Sequence, residues 1–85
     1  MTIDTFQAIA DPNRRHLLEE LRRRPQTVNE LAAGLPISRP AVSQHLKALL
    51  DSGLVTAENR GTSRIYAVRT DGFMHINLWV DQFWS

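Results

Sequence analysis

The side chains with most to offer a ligand are gathered on one stretch, SRPAVSQHLKALLDSGLV, residues 38–55. Val42, Leu46 and Leu49 recur there at helical spacing, which puts Pro40, Ser43, Gln44 and Lys47 on the opposite face. A solvent-facing helix surface ordinarily carries long, charged helix formers such as Glu and Lys. This one carries short hydrogen-bonding groups, the kind that can approach base edges in the major groove of DNA. Gln44 can pair bidentately with adenine N6 and N7, Arg39 with guanine O6 and N7, and Ser43 with either, while Lys47 sits further back, at the distance of a phosphate. Covalent catalysis is not indicated. Ser43 and His45 are two residues apart on one helix and point in different directions, and no Ser, His and Asp set suggests an activated nucleophile. His45 flanks the apolar stripe and is expected at the core edge, His16 at the surface and His75 at an interface.

The elements that must hold that stretch in place follow from caps and breakers. Ile3, Phe6, Ile9 and Ala10 predict a short first helix. Asp11 and Pro12 stop it and start a second, Asn13 to about Arg23, with Leu17, Leu18 and Leu21 inward; Pro25 ends it. Thr27 and Glu30 have capping-box spacing for a third helix that Gly34 closes. Ser38 is the N-cap of the fourth, with Pro40 in its first turn and Gly53 at its exit. Leu54–Glu58 and Arg64–Val68 then read as a hairpin around the loop Asn59 to Ser63. A last helix begins at Asp71 or Gly72. The expected fold is therefore mainly helical with a small β-hairpin wing, in the order α-α-α-α-β-β-α: a winged helix-turn-helix with the helix 38–52 poised for the major groove. Arg60 and Arg64 flank a wing of the right size to lie along the neighbouring groove or backbone.

Composition bounds the rest. With 85 residues, 42% hydrophobic and 22% charged, one globular domain over residues 1–85 is expected, burying only about 60 to 65% of its unfolded surface. The absence of cysteine excludes disulfides and Cys-ligated zinc and fits a reducing, cytoplasmic setting. No run approaches the roughly 18 to 20 apolar residues of a membrane span. All ten Lys and Arg lie between residues 14 and 69, a segment of net charge +5, while the flanking ends carry −4. That segregation suggests a basic working face and ends with another task.

The apolar residues of the last helix supply that task. Phe73, Met74, Ile76, Leu78, Trp79, Val80, Phe83 and Trp84 fall almost all the way round, and a helix apolar on every side must be covered on every side. One small core covers one face. A second copy is the simplest cover for the rest, with Ile3, Phe6, Ile9, Phe73, Ile76, Trp79, Val80 and Phe83 as the interface, so that residues 1–10 and 71–85 act as dimerisation helices.

The segments ADPNRRHLLEEL, TVNELAAGLPISRPAVSQHLKALLDSGLV and RGTSRIYAV resemble the ArsR-type family of bacterial winged-helix repressors over essentially residues 5–70. The resemblance implies a dimer that binds operator DNA and releases it on a signal, with base-facing positions at Arg39, Pro40, Ser43 and Gln44. Together with the cap and the basic flanks, the expected DNA-binding set is Ser38, Arg39, Pro40, Ser43, Gln44, Lys47, Arg60 and Arg64. Metal-sensing members place Cys on the helix matching Val28–Leu31, or Asp and His pairs on the last helix. Here only Asp71, His75 and Asp81 stand in the second position, so no metal and no cofactor is expected. The chain looks most like the metal-independent, SdpR-like branch, which implies an autoregulatory repressor. Its expected partners are double-stranded operator DNA, a second copy of itself and an unidentified protein or small-molecule effector. A winged-helix module for protein contact, or a metal- or small-molecule-responsive repressor, remain the alternatives.

Overall fold

Carboxylates at two turns decide where the chain starts to coil. In the computed structural model, which describes residues 3–84, Asp4 and Gln7 form a reciprocal capping box: the Gln7 amide donates to Asp4 at 2.8 Å and the Asp4 amide to the Gln7 side chain at 3.2 Å. This starts α1, Thr5–Ala10. Asp11 then accepts from the amides of Asn13 and Arg14 and, with Pro12 in the first position, starts α2, Pro12–Arg23.

The junction between these two helices is closed from both sides. Arg14 Nε donates to the carbonyl of Ala8 and Arg15 Nη1 to that of Ile9, each at 2.7 Å, so two cations of α2 satisfy the free carbonyls at the end of α1. At the other end of α2 the buried side chain of Gln26 donates to the Glu20 carbonyl at 2.9 Å.

Gln26 and Thr27 form a two-residue strand, β1, that the sequence reading did not anticipate. It pairs with β3, Ser63–Val68, which also pairs with β2, Val55–Arg60, to give a three-stranded antiparallel sheet in the order β1-β3-β2. A strand this short has no periodicity to betray it; only the opposing residues Tyr66 and Ile65 reveal its pairing. The hairpin loop is shorter than expected. Arg60 pairs with Ser63 inside the ladder, leaving only Gly61 and Thr62 at the tip. Gly61 alone has positive φ, 60°, as a type II′ turn requires at its first central position.

Between β1 and β2 lie the two helices of the helix-turn-helix, α3 (Val28–Ala33) and α4 (Arg39–Asp51). The Thr27 and Glu30 capping box forms as expected, and Ser38 Oγ accepts from the Ala41 amide to open α4. Gly53, at φ 82°, closes α4 with a Schellman motif in which the Leu54 amide reaches the Leu49 carbonyl and the Gly53 amide the Leu50 carbonyl. Leu49 and Leu54, which this motif brings together, have no exposed surface.

The core consists of Ala8, Leu17, Leu18, Leu21, Leu31, Val42, Leu46, Leu49, Leu54, Val55 and Tyr66. After β3 the chain makes a 3-10 turn, Thr70–Phe73, before α5, Met74–Asp81, so the last α-helix starts later than expected and Phe83 and Trp84 lie past its end. This turn is locked backbone to backbone. Arg69 donates to the Leu54 carbonyl at 2.9 Å, and a β-carbon on Gly72 would overlap the carbonyl oxygen of Gly53.

Two outcomes follow for stability. Gly72→Ala should lower it by about 1 to 3 kcal/mol, because the obstructing atom is main chain and cannot rotate away; the urea midpoint measures this. Asp11→Ala should cost about 1 kcal/mol at neutral pH through loss of the cap. Burial by itself would raise the Asp11 carboxyl, but the amides of Asn13 and Arg14, aided by the charges of His45 and Arg14, outweigh it and hold the group below its ordinary value. The stabilisation is therefore present above the unfolded value of about 3.9 and is lost as pH falls through the lower folded value. The gap between wild type and Asp11→Ala should be full at pH 7 and narrow below about pH 4.

Candidate nucleic-acid interface

One helix serves two surfaces. Val42, Leu46 and Leu49 of α4 are wholly buried, while Arg39, Pro40, Ser43, Gln44 and Lys47 are exposed. The spacing that anchors the first set fixes the direction of the second. His45 is half-buried between them, within electrostatic reach of Asp11, as its place on the flank of the stripe implied.

The expected residues fall into distinct local roles. Ser38 Oγ is occupied by the Ala41 amide at 3.2 Å and serves as a cap. Pro40, second in the helix, leaves the first turn slim. Ser43 and Gln44 stand outward on the second turn. Lys47 Nζ lies 3.2 Å from Asp51, one turn along, an exposed pair that contributes little to stability and leaves the ammonium exchangeable toward a phosphate. On the wing, Arg60 lies 3.4 Å from Glu58, and the Arg64 guanidinium stacks over the Tyr66 ring, 5.7 Å from its centroid.

Arg39 has a partner that no local spacing suggests. Its Nε donates to Asn29 Oδ1 at 2.6 Å, tying the first turn of α4 to α3 across ten residues of chain. Asn29, Arg39, Thr62, Ser63 and Arg64, with Thr27 and Val28, line a notch of about 230 Å³ between the helix-turn-helix and the wing. Asn29 carried no signal in the sequence, being one exposed polar residue on a short helix; the contact needs the angle between α3 and α4. Thr62 and Ser63 read as turn residues only.

The charge segregation also resolves into parts. Arg14 and Arg15 cap α1. Arg23, Arg24, Lys47, Arg60 and Arg69 each lie within 4 Å of a carboxylate, those of Glu20, Glu30, Asp51, Glu58 and Asp71. Glu30 is held in its charged form by the Thr27 amide and the Arg24 side chain, so that Arg24 stays engaged.

The expected interface residues divide as well. Ile3, Ile9, Phe73 and Ile76 are half-buried against the chain's own core. Phe6, Trp79 and Phe83 form an edge-to-face ladder with centroids 5.4 and 4.8 Å apart, and the Phe6 ring also meets His75. Trp79 is nevertheless 51% exposed, Val80 43% and Phe83 68%. Met74, Leu78 and Trp84, outside the expected set, are exposed too.

Comparison with known proteins places this geometry. The family model for bacterial regulatory proteins of the arsR family matches residues 11–57, which span α2 through the helix-turn-helix into β2. The HTH-type transcriptional regulator Rv2034 of Mycobacterium tuberculosis is 45% identical over 80 residues, covering 94% of this chain and 75% of that protein. A crystal structure described as a possible transcriptional regulator for arsenical resistance superposes with a TM-score of 0.89 at 40% identity, over 99% of this chain and 88% of the other. The homodimeric winged helix-turn-helix DNA-binding domain of Mb0332 from Mycobacterium bovis superposes with a TM-score of 0.74 at 25% identity, over 93% and 77% of the two chains.

Proposed function

The chain belongs to the bacterial ArsR family of regulatory proteins, and from that premise we propose that it is a homodimeric, autoregulatory repressor that lays α4 in the major groove of its operator. The observation that carries this reading is the outward face of α4, where Ser43 and Gln44 stand on a turn whose other side is wholly buried. Gln44 reads an adenine edge and Ser43 a neighbouring base, with Pro40 keeping the first turn narrow enough to enter. Lys47 and Arg60 exchange their exposed carboxylate partners for phosphates. Ser38 contributes by capping α4, which holds an amide-rich N-terminus toward the DNA.

Dimerisation rests on the uncovered apolar side chains of α5 and the segment after it. Phe6, Trp79, Val80 and Phe83 form the centre of the interface, extended by Met74, Leu78 and Trp84. Ile3, Ile9, Phe73 and Ile76 support it from the chain's own core. Covering these side chains with a second copy removes apolar surface from water at roughly 25 cal/mol per Å², and two-fold symmetry would set two α4 helices about 34 to 36 Å apart on an inverted repeat. We assign the protein to the metal-independent branch because it contains no cysteine and one histidine on its last helix. No described helix is long and apolar enough to cross a membrane, and a cytoplasmic place is the natural one for an operator-binding protein.

Gln44→Ala should lower affinity for an operator taken from upstream of the protein's own coding sequence by about 1 to 3 kcal/mol and relax preference at one base pair. Lys47→Ala should weaken all duplexes alike and reduce the salt slope by about one for each protomer of the dimer. An unchanged ratio of specific to non-specific affinity in Gln44→Ala refutes base reading by this residue. Trp79→Glu or Phe83→Glu should yield a folded monomer by sedimentation that binds the operator poorly, since two weak half-site contacts act together only in a dimer. A folded monomer with undiminished affinity would refute the dimer.

A further inference from the structure

The notch between α3, the start of α4 and the wing gathers positive charge without an acid. Arg39 and Arg64 line it from opposite elements, together with Thr62, Ser63 and Asn29, and no carboxylate belongs to its wall. Three other concavities, of about 520, 170 and 390 Å³, each include Glu19, Glu20 or both. Among the described residues, five arginines have no carboxylate within 4 Å: Arg14 and Arg15 are bound to carbonyls of α1, and two of the remaining three are Arg39 and Arg64.

Both guanidinium groups are held by neutral partners that position them and leave their charge uncompensated. Asn29 Oδ1 takes only the Nε proton of Arg39, so the Nη1 and Nη2 donors stay free. The buried Tyr66 supports the flat face of Arg64 and uses none of its five N–H donors. A tetrahedral oxyanion in the notch would receive planar donor pairs from either side and hydroxyls from the wing tip. A guanine edge, by contrast, would engage Arg39 alone and leave Arg64 without an anion.

We infer that the notch is a clamp for a single phosphodiester of bound DNA, with Arg39 and Arg64 sharing one phosphate and Asn29 acting as the positioning residue for Arg39. This rests on the operator-binding reading and gives Arg39 a backbone contact in place of the guanine contact expected from sequence. The clamp fixes the distance between the first turn of α4 and the wing on the DNA backbone, and so sets the register in which Gln44 meets its base.

The test is the salt dependence of binding to a random-sequence 24-bp duplex, measured by fluorescence anisotropy for wild type, Arg39→Gln, Arg64→Gln, the double arginine variant, Asn29→Ala, and Asn29→Ala combined with Arg39→Gln. Each neutralised phosphate contributes about 0.9 to the slope of log K against log salt concentration. The homodimer carries two notches, so the double arginine variant should lose about 1.8 units, with each single variant inside that loss, whereas contacts to two separate phosphates in each protomer would cost about 3.6. Asn29→Ala should weaken binding about three- to tenfold when Arg39 is present and leave the Arg39→Gln protein unchanged. A loss of about 3.6 units, additive single effects or an Asn29 effect that persists without Arg39 overturns the clamp. If wild type retains its salt-dependent binding and Lys47→Ala still lowers the slope while the arginine variants do not, the clamp falls and DNA binding stands. If wild type shows no salt-dependent binding to any duplex, both fall.

Discussion

The burial of Val42, Leu46 and Leu49 on one side of α4 is the constraint from which the rest of the molecule takes its orientation. In a chain of 85 residues no helix can be set aside for recognition alone; the helix offered to a ligand is also the strut on which α2, α3 and β2 pack. Rotating α4 to present other residues outward would expose three side chains that now have no contact with water. At about 1.5 to 3 kcal/mol for each large apolar side chain, that would consume most of the stability a domain of this size possesses. The outward face is thus rigid by necessity.

Much of this was legible in the chain because it rests on local rules. The helix starts at Asp11, Thr27 and Ser38, the exit at Gly53 and the buried stripes all depend on residues within one or two turns of each other. What escaped was set by residues distant in sequence. β1 exists because Tyr66 and Ile65 arrive opposite Gln26 and Thr27, some forty positions later. Asn29 meets Arg39 only because the turn brings α3 beside the first turn of α4, and the loop shrank to two residues because the ladder registers Arg60 with Ser63.

The charges teach a related lesson. A segment of net charge +5 suggested a basic face, yet much of that charge is consumed in place: Arg14 and Arg15 close one helix end, and five other cations stand beside acids. What distinguishes a surface that can receive an anion is the cation whose neighbours are neutral. The last helix shows the same division between content and placement. Its apolar residues do occur around it, but Phe73 and Ile76 pack half-buried against the core while Trp79, Phe83 and Trp84 remain largely exposed. Composition could count them without sorting them.

Gly53 and Gly72 meet main chain to main chain where the exit of α4 touches the lead into α5. A hinge built from side chains could yield by changing rotamers; this one has none to change. In the proposed dimer, the separation of the two recognition helices is then written in backbone geometry at that joint, like the pitch of a gauge block. Substitutions along the outer surface of α5 would alter how tightly two copies hold each other while preserving the spacing at which they grip DNA. Strength of assembly and reading frame on the operator are then free to drift independently, so that related repressors keep one half-site spacing through wide variation in the residues that join them.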